Sequence, residues 1–224
     1  TTEVVRIAPT EEQLVLHNAH KKVVASIVQK KFISEMDLLR LRMALLMCRL
    51  AADSTFLVDK EAPGYSSKLE RLDELFERLA AEPGRKVLLF SEWTGMLDLI
   101  EPLLAKRRLR FVRLDGSVPQ KKRAALVHQF QHEPGCAFFL ATNAGSTGLN
   151  LQAANTVINV DLPWNPAVLE QRIARAHRMG QQQPVHVYVL VTEDTLEDSL
   201  LTTLVAKKEL ALAALDPESN VDAV

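Results

Sequence analysis

No stretch of this 224-residue sequence is apolar for the ~18 residues that a membrane-spanning helix needs, so no membrane role is expected. Cysteine is scarce: only Cys48 and Cys136 occur, in apolar surroundings and without Cys-x-x-Cys spacing. That implies no zinc site, and reads as free buried thiols in a reducing, intracellular compartment, whether cytoplasm, nucleoid or nucleus. An excess of one charge is missing too. Lys and Arg total 27 against 28 Asp and Glu, so any contact with nucleic acid must come from local patches. Thr1-Thr2-Glu3 is no secretory signal, and an opening without methionine is what a piece of a longer chain is expected to show. Material for a core is abundant: 47% of residues are hydrophobic, enough at this length for one domain and an appendage.

Glycine and proline are absent between Pro9 and Pro63, and the residues from Thr10 to Leu57 are rich in Leu, Val, Met, Lys and Arg. This predicts two helices, roughly 11–31 and 35–51, separate from the rest of the chain. The linker is Asp59-Lys60-Glu61-Ala62-Pro63-Gly64-Tyr65-Ser66-Ser67, where turn formers precede a helix starting near Lys68. Beyond it, short apolar runs recur: 86–90, 110–114, 136–141, 156–160 and 185–191. Helical patterns lie between them near 95–107, 119–131 and 166–178, with a last one over about 195–215. Strands alternating with helices need crossover connections, which predicts an α/β fold: an open parallel sheet with helices on both faces. Ligands of such sheets sit at the carboxyl ends of the strands.

The residues at those ends are polar. Ser91-Glu92-Trp93-Thr94 could hold a phosphate with hydroxyls and a helix N-terminus, or could simply cap the helix. Leu114-Asp115-Gly116-Ser117 precedes a helix bearing Lys121, Lys122 and Arg123, which is either a phosphate contact or a solvated basic helix end. The loop Thr142-Asn143-Ala144-Gly145-Ser146-Thr147-Gly148-Leu149-Asn150-Leu151 has the small residues and donors of a phosphate or sugar cradle, and equally those of a tight turn. It is not a Walker A sequence, since no Gly-Lys-Ser/Thr ends it.

The last helix before the final strand concentrates cations. With Asn165 as N-cap, Pro166 as first helical residue and Gly180 as the stop, it is expected to run about four turns. On such a helix Gln171, Arg175 and Arg178 fall within about 60° of one another. Two guanidiniums at i, i+3 repel, so an anion is expected against them unless the face is merely solvated.

Phe90-Ser91-Glu92-Trp93-Thr94, then Leu114 to Ser117, Thr142 to Leu151, Asp161-Leu162-Pro163-Trp164-Asn165-Pro166 and Gln171 to Gln181 occur in that order. The series closely resembles the second RecA-like lobe of Swi/Snf-type DNA translocases of helicase superfamily two, over about residues 66 to 200. The resemblance implies a division into residues 1–64 as a helical inter-lobe or insertion segment, 65–215 as the lobe, and 216–224 as a tail. It implies ATP with Mg2+ as cofactor, the metal held by a first RecA-like lobe of the same polypeptide. Double-stranded DNA is the implied partner, and a monomer is expected.

Residue by residue, the match makes Arg175 and Arg178 arginine fingers aimed at the γ-phosphate, where a planar fork stabilises spread charge better than a lysine. Gly148 and Asn150 match positions beside the nucleotide sugar, and Gln171 couples the helix to nucleotide or to the first lobe. Ser91, Gly116 and Thr142 match contacts to DNA phosphates, and His177 is read as packing or coupling. The chain departs from the family at Asn143, usually Lys, at Ser146, usually a second Gly, and at Glu92, more often Gln. Each departure puts a DNA contact or the loop's pliancy in doubt. The Gly-Lys-Thr loop and Asp-Glu-x-His box of the first lobe are absent, so the chain alone is expected not to hydrolyse ATP. A non-catalytic RecA-like interaction module and a strand-separating helicase lobe are the competing readings. The paired arginines weigh against the first, and Trp164-Asn165-Pro166 with Gln181 against the second.

Overall fold

The computed structural model describes residues 1–176 and 183–215. In chain order the elements are β1 (Thr2–Ile7), α1 (Glu11–Val28), α2 (Glu35–Asp53), α3 (Ser67–Ala80), β2 (Val87–Phe90), α4 (Thr94–Lys106), β3 (Arg110–Leu114) and α5 (Gln120–His132). They continue with β4 (Cys136–Ala141), α6 (Asn143–Ser146), β5 (Thr156–Asn159), α7 (Pro166–Ala174), β6 (His186–Thr192) and α8 (Leu196–Leu215). No helix among the described residues is long and apolar enough to cross a membrane.

The strands form one six-stranded sheet, order β1-β6-β5-β2-β4-β3, with every pairing parallel. Its central strands read Val87-Leu88-Leu89-Phe90 and Thr156-Val157-Ile158-Asn159, buried at every position. Unbroken burial is what a strand covered on both faces requires. Alternate side chains divide the core. Leu88, Phe90 and Phe139 face the layer of α5, α7 and α8. Val87, Leu89 and Phe138 face the layer of α3 and α4, where Leu72, Phe76, Leu79, Met96 and Ile100 are fully buried. The α/β sandwich expected from alternating elements is therefore present.

One segment differs from that expectation. The resemblance implies a helical segment over residues 1–64, but Thr2–Ile7 form an edge strand of the main sheet, in register from Thr2 opposite Val187 to Ile7 opposite Thr192. Only Val5 and Ile7 of this strand are buried, and its hydrogen-bonding partner lies far along the chain. Nothing local distinguishes such a strand from a loop.

The helical hairpin α1–α2 forms as expected, each helix opened by a reciprocal capping box, Thr10 with Gln13 and Ser34 with Asp37. It is not detached from the lobe. His17 is fully buried, and its Nε2 accepts from the Leu196 amide at 3.1 Å while Nδ1 lies 2.9 Å from the Asn18 carboxamide oxygen. Burial lowers the pKa of this imidazole, which fits the neutral tautomer those two bonds need. Deeper in, fully buried Lys68 ion-pairs with Asp53 of α2 at 2.8 Å and Glu197 of α8 at 2.7 Å, and donates to the Val160 carbonyl at 2.6 Å. Glu197 in turn accepts from the Thr192 amide at 3.0 Å. One ammonium thus joins the hairpin, the first lobe helix, the end of β5 and the last helix.

Candidate nucleotide and DNA site

Because every strand runs the same way, all the loops that leave their carboxyl ends gather at one edge. Ser91, Thr142 and Gly116 come after β2, β4 and β3, which are consecutive neighbours in the sheet. Strands about 4.8 Å apart put the three in a row roughly 10 Å long. Within that row only Gly116 is exposed, with open space where a side chain would stand. Ser91 is fully buried, its hydroxyl donating to Asp161 Oδ2 at 2.6 Å. Thr142 is 5% exposed and caps α6, its hydroxyl accepting from the Gly145 amide at 3.2 Å. To donate to a DNA phosphate, the Ser91 hydroxyl would have to give up its bond to Asp161, whereas Thr142 accepts in its cap and could donate while keeping that bond.

The loop after β4 carries the second group. Gly148 has φ +76°, a left-handed conformation that favours glycine, and a Cβ added there would meet nothing within 4 Å. Asn150 is exposed beside it. Arg175 comes to this loop from α7: its guanidinium donates to the Leu149 carbonyl at 3.5 Å, and its own carbonyl accepts from the Leu151 amide at 2.9 Å. Gly148, Asn150 and Arg175 are therefore brought together. Gln171 lies one turn earlier on α7 and is exposed. Arg178, with His177, Gly180 and Gln181, lies outside the described residues.

The helix itself is shorter than its sequence pattern. In place of the four turns expected up to Gly180, α7 ends at Ala174, and Arg175 is its C-cap, with its N–H turned back to the Arg172 and Ile173 carbonyls. The Leu151 amide donates to the Arg175 carbonyl, which ties this cap to the loop after β4. Arg175 therefore sits on the cap of α7, one turn beyond Gln171, and the third member of the expected face, Arg178, lies outside the described residues.

Gly145 serves a different purpose from Gly148. A Cβ there would lie 2.1 Å from the Leu114 carbonyl oxygen and 2.7 Å from its carbon, so the loop after β4 packs directly on the end of β3. Gly145→Ala is expected to destabilise the protein by about 1–3 kcal/mol, because the obstacle is backbone and cannot rotate aside. Thermal denaturation by circular dichroism checks this, and an unchanged midpoint would show that the two loops separate freely.

Beneath the edge lies a network that no sequence motif announces. Arg172, 2% exposed, donates from Nε to the Asn143 side-chain oxygen at 2.7 Å and from Nη1 to the Asp161 carbonyl at 2.8 Å. Its Nη2 lies 3.4 Å from Asp161 Oδ1, which also accepts from the Glu92 amide at 2.9 Å. Burial alone would raise the Asp161 carboxyl, but the Arg172 charge and the bonds around it hold it below the usual carboxylate range. Asp161 and Arg172 together thus tie the loops after β2, β4 and β5. Two of the three departures from the family pattern acquire partners here: Asn143 receives Arg172, and Glu92 pairs with Arg49. At the third, Ser146 is buried and its hydroxyl donates to the Asn143 carbonyl at 3.2 Å.

The signal for these buried cations was present in the sequence. Lys68 shares a helical stripe with Leu72, Leu75, Phe76 and Leu79, and Arg172 shares one with Leu169, Ile173 and Ala176. A cation on an apolar stripe must be paired inside the fold, yet its partners lie on other elements.

Residues 67–180 match the family described as helicase conserved C-terminal domain, which is half of the chain. The chain is 43% identical over 146 residues to the chromatin-remodeling ATPase INO80 of Pyricularia oryzae, covering 65% of this chain and 8% of that protein. The INO80 of Aspergillus oryzae shows 43% identity over the same length, covering 10% of that protein. This chain thus spans a tenth or less of the length of these relatives. Among solved structures, the Sulfolobus solfataricus SWI2/SNF2 ATPase core in complex with dsDNA superposes with a TM-score of 0.79 at 26% identity, over 93% of this chain and 44% of that one. The isolated C-terminal domain of the same archaeal ATPase gives 0.75 at 24% identity, covering 92% and 86%, and the C-terminal part of the Fun30 ATPase domain 0.74 at 20%, covering 90% and 87%. The chain belongs to the helicase conserved C-terminal domain family and is the second RecA-like lobe of a Swi/Snf-type member of helicase superfamily two.

Proposed function

We propose that this lobe is one half of an ATP-driven motor that tracks along duplex DNA, and that it turns ATP over only together with a first RecA-like lobe of the same polypeptide. The observation that carries this reading is the convergence of Arg175 on the Gly148–Asn150 loop at the carboxyl edge. The open space at Gly148 and the exposed side chains of Asn150 and Gln171 fit one wall of a nucleotide site, with no phosphate-binding loop beside them among the described residues. When bound, ATP supplies a γ-phosphoryl group whose negative charge spreads over its oxygens during transfer. Arg175 and Arg178 would stabilise that charge from across the cleft, while Mg2+ would be held by the first lobe.

DNA would be met by the row after β2, β4 and β3. The Gly116 backbone is open to a phosphate, while Ser91 and Thr142 hold the loops that shape the row. Phosphate contacts of this kind are independent of base sequence, as a translocating motor needs. The archaeal relative solved with dsDNA and the INO80 relatives named as chromatin-remodeling ATPases support duplex DNA as the track.

The test compares two proteins. The full-length protein is expected to hydrolyse ATP faster on duplex DNA, whereas the purified 224-residue chain shows no turnover under the same conditions. Duplex-stimulated turnover by the isolated chain would overturn its dependence on a first lobe, and no stimulation of the full-length protein would remove the motor reading in favour of an interaction module. Strand displacement by the full-length protein would identify a helicase that separates strands.

A further inference from the structure

Both tryptophans of the chain face the same guanidinium. Arg49, near the end of α2, is 6% exposed, and its guanidinium carbon lies 4.8 Å from the Trp93 ring centroid and 5.0 Å from that of Trp164. Its terminal nitrogens donate to the Glu92 carboxylate and, at 2.8 Å, to the Leu162 carbonyl. These partners have one thing in common. Glu92 and Trp93 leave the end of β2, while Leu162 and Trp164 lead into Pro166, the first residue of α7. A side chain from the preceding hairpin therefore joins the two loops that bracket the start of the arginine-bearing helix.

We propose that Arg49 is a positioning residue for ATP turnover: by pinning the 162–164 loop against the 92–93 loop, it sets the angle at which α7 departs and hence where Arg175 meets the Leu149 loop. The inference rests on the reading of Arg175 as a group that faces ATP. Asp161 secures the start of the same loop from inside, through Ser91, Glu92 and Arg172. Arg49 grips its far end, where Trp164 is 49% exposed and the Asn165 side chain caps the helix by accepting from the Ala167 amide at 3.0 Å. A nine-residue helix is a rigid rod about 13 Å long, so a tilt of about 10° at its start moves its far end by roughly 2 Å. Misplacement on that scale is costly for a group that must meet a transition state. Lysine cannot substitute, because only a planar guanidinium can stack on indole rings while donating in its own plane to a carboxylate and a carbonyl.

The test uses the full-length protein and separates placement from folding and from DNA contact. Arg49→Ala is expected to lower DNA-stimulated kcat about tenfold or more, with the KM for ATP and the affinity for duplex DNA each within about twofold of the parent. Arg49→Lys should recover little of the loss. Glu92→Gln, which keeps both stacks and weakens only the ion pair, should fall between Arg49→Ala and the parent. Circular dichroism scales each rate to the folded fraction. If Arg49→Ala does not fold, Arg49→Lys and Glu92→Gln decide, and parental kcat in both overturns the proposal. A joint fall of kcat and DNA affinity also overturns it, since Arg49 would then act through the DNA. Arg175→Ala in parallel keeps the two readings apart: if it preserves turnover, the finger reading fails, whereas if it abolishes turnover while Arg49→Ala does not, only the positioning role fails.

Discussion

In the full-length protein, Arg175→Ala or Arg178→Ala is expected to slow DNA-stimulated ATP turnover by about 10³-fold or more, with duplex affinity within about twofold of the parent. A factor of 10³ is about 4 kcal/mol of transition-state stabilisation, which a guanidinium can supply where water is excluded and charge accumulates on phosphoryl oxygens. Arg175 also has a local task, since it donates to the Leu149 carbonyl at 3.5 Å. Its loss could therefore loosen the loop as well as remove a charge. Arg175→Lys separates these effects, because it keeps the positive charge but loses the fork, and it is expected to recover little activity. The measurement is steady-state ATPase with saturating duplex, beside a salt-dependent DNA-binding titration. Equal losses of turnover and DNA affinity would place the arginines on the DNA, and unchanged turnover would mean that coupling to ATP has been lost from this fold.

Lys68→Met is expected to have the largest effect on stability, a loss of about 3–5 kcal/mol. Against a total of roughly 5–15 kcal/mol for a folded domain this is severe, and it corresponds to a fall in melting temperature of roughly 10 °C or more. Methionine fills much of the space, but the ammonium is what allows Asp53 and Glu197 to be buried and what occupies the Val160 carbonyl. The neighbourhood is already rich in carboxyls. Burial pushes the Asp53 carboxyl well above its usual 3.8, Lys68 draws it back, and Asp161 and Glu197 push it up again. Its Oδ2 has no hydrogen-bond partner among the described residues.

The two aspartates make stability depend on pH in opposite senses. Asp53, raised in the fold, contributes most to stability below pH 3.8, and its contribution declines as pH rises through its folded pKa. Asp161, lowered in the fold, contributes above pH 3.8, and its contribution is lost as pH falls through its folded pKa. Asp53→Asn should therefore be much milder than Lys68→Met, costing about 1 kcal/mol, since it removes a charge that burial, Asp161 and Glu197 all disfavour while keeping an acceptor oxygen for Lys68. Denaturant titration of both variants checks the pair. If Lys68→Met stays within about 1 kcal/mol of the parent, the cluster is not held by charge.

The elements that could be read from the sequence are those whose signal is local. The central strands appear as short apolar runs because both faces of the sheet are covered, and α1 and α2 as uninterrupted helical stretches opened by Thr10 and Ser34. The order of the loops at the carboxyl ends was equally legible, and with it the family. Other features depended on distant partners. The edge strand Thr2–Ile7 has only two buried side chains and pairs with residues 187–192, so no window around it contains its reason for being a strand. Ser91 read as a phosphate ligand because its hydroxyl comes just after a strand, but Asp161, seventy residues on, accepts that hydroxyl's hydrogen. Asn143 and Glu92 read as lost contacts, yet Arg172 and Arg49 reach them from other helices.

By itself the sequence determined the alternation of strand and helix, the parallel sheet and the set of residues gathered at its carboxyl edge, because short apolar runs and a 3.6-residue period are written within a few turns of chain. Only the tertiary structure decided which polar groups at that edge face outward and which are spent inside. Charged residues are usually exposed, so a buried one such as Lys68, Arg172 or Arg49 can be assigned only when its partners are in place, and here those partners come from as far as 129 residues along the chain.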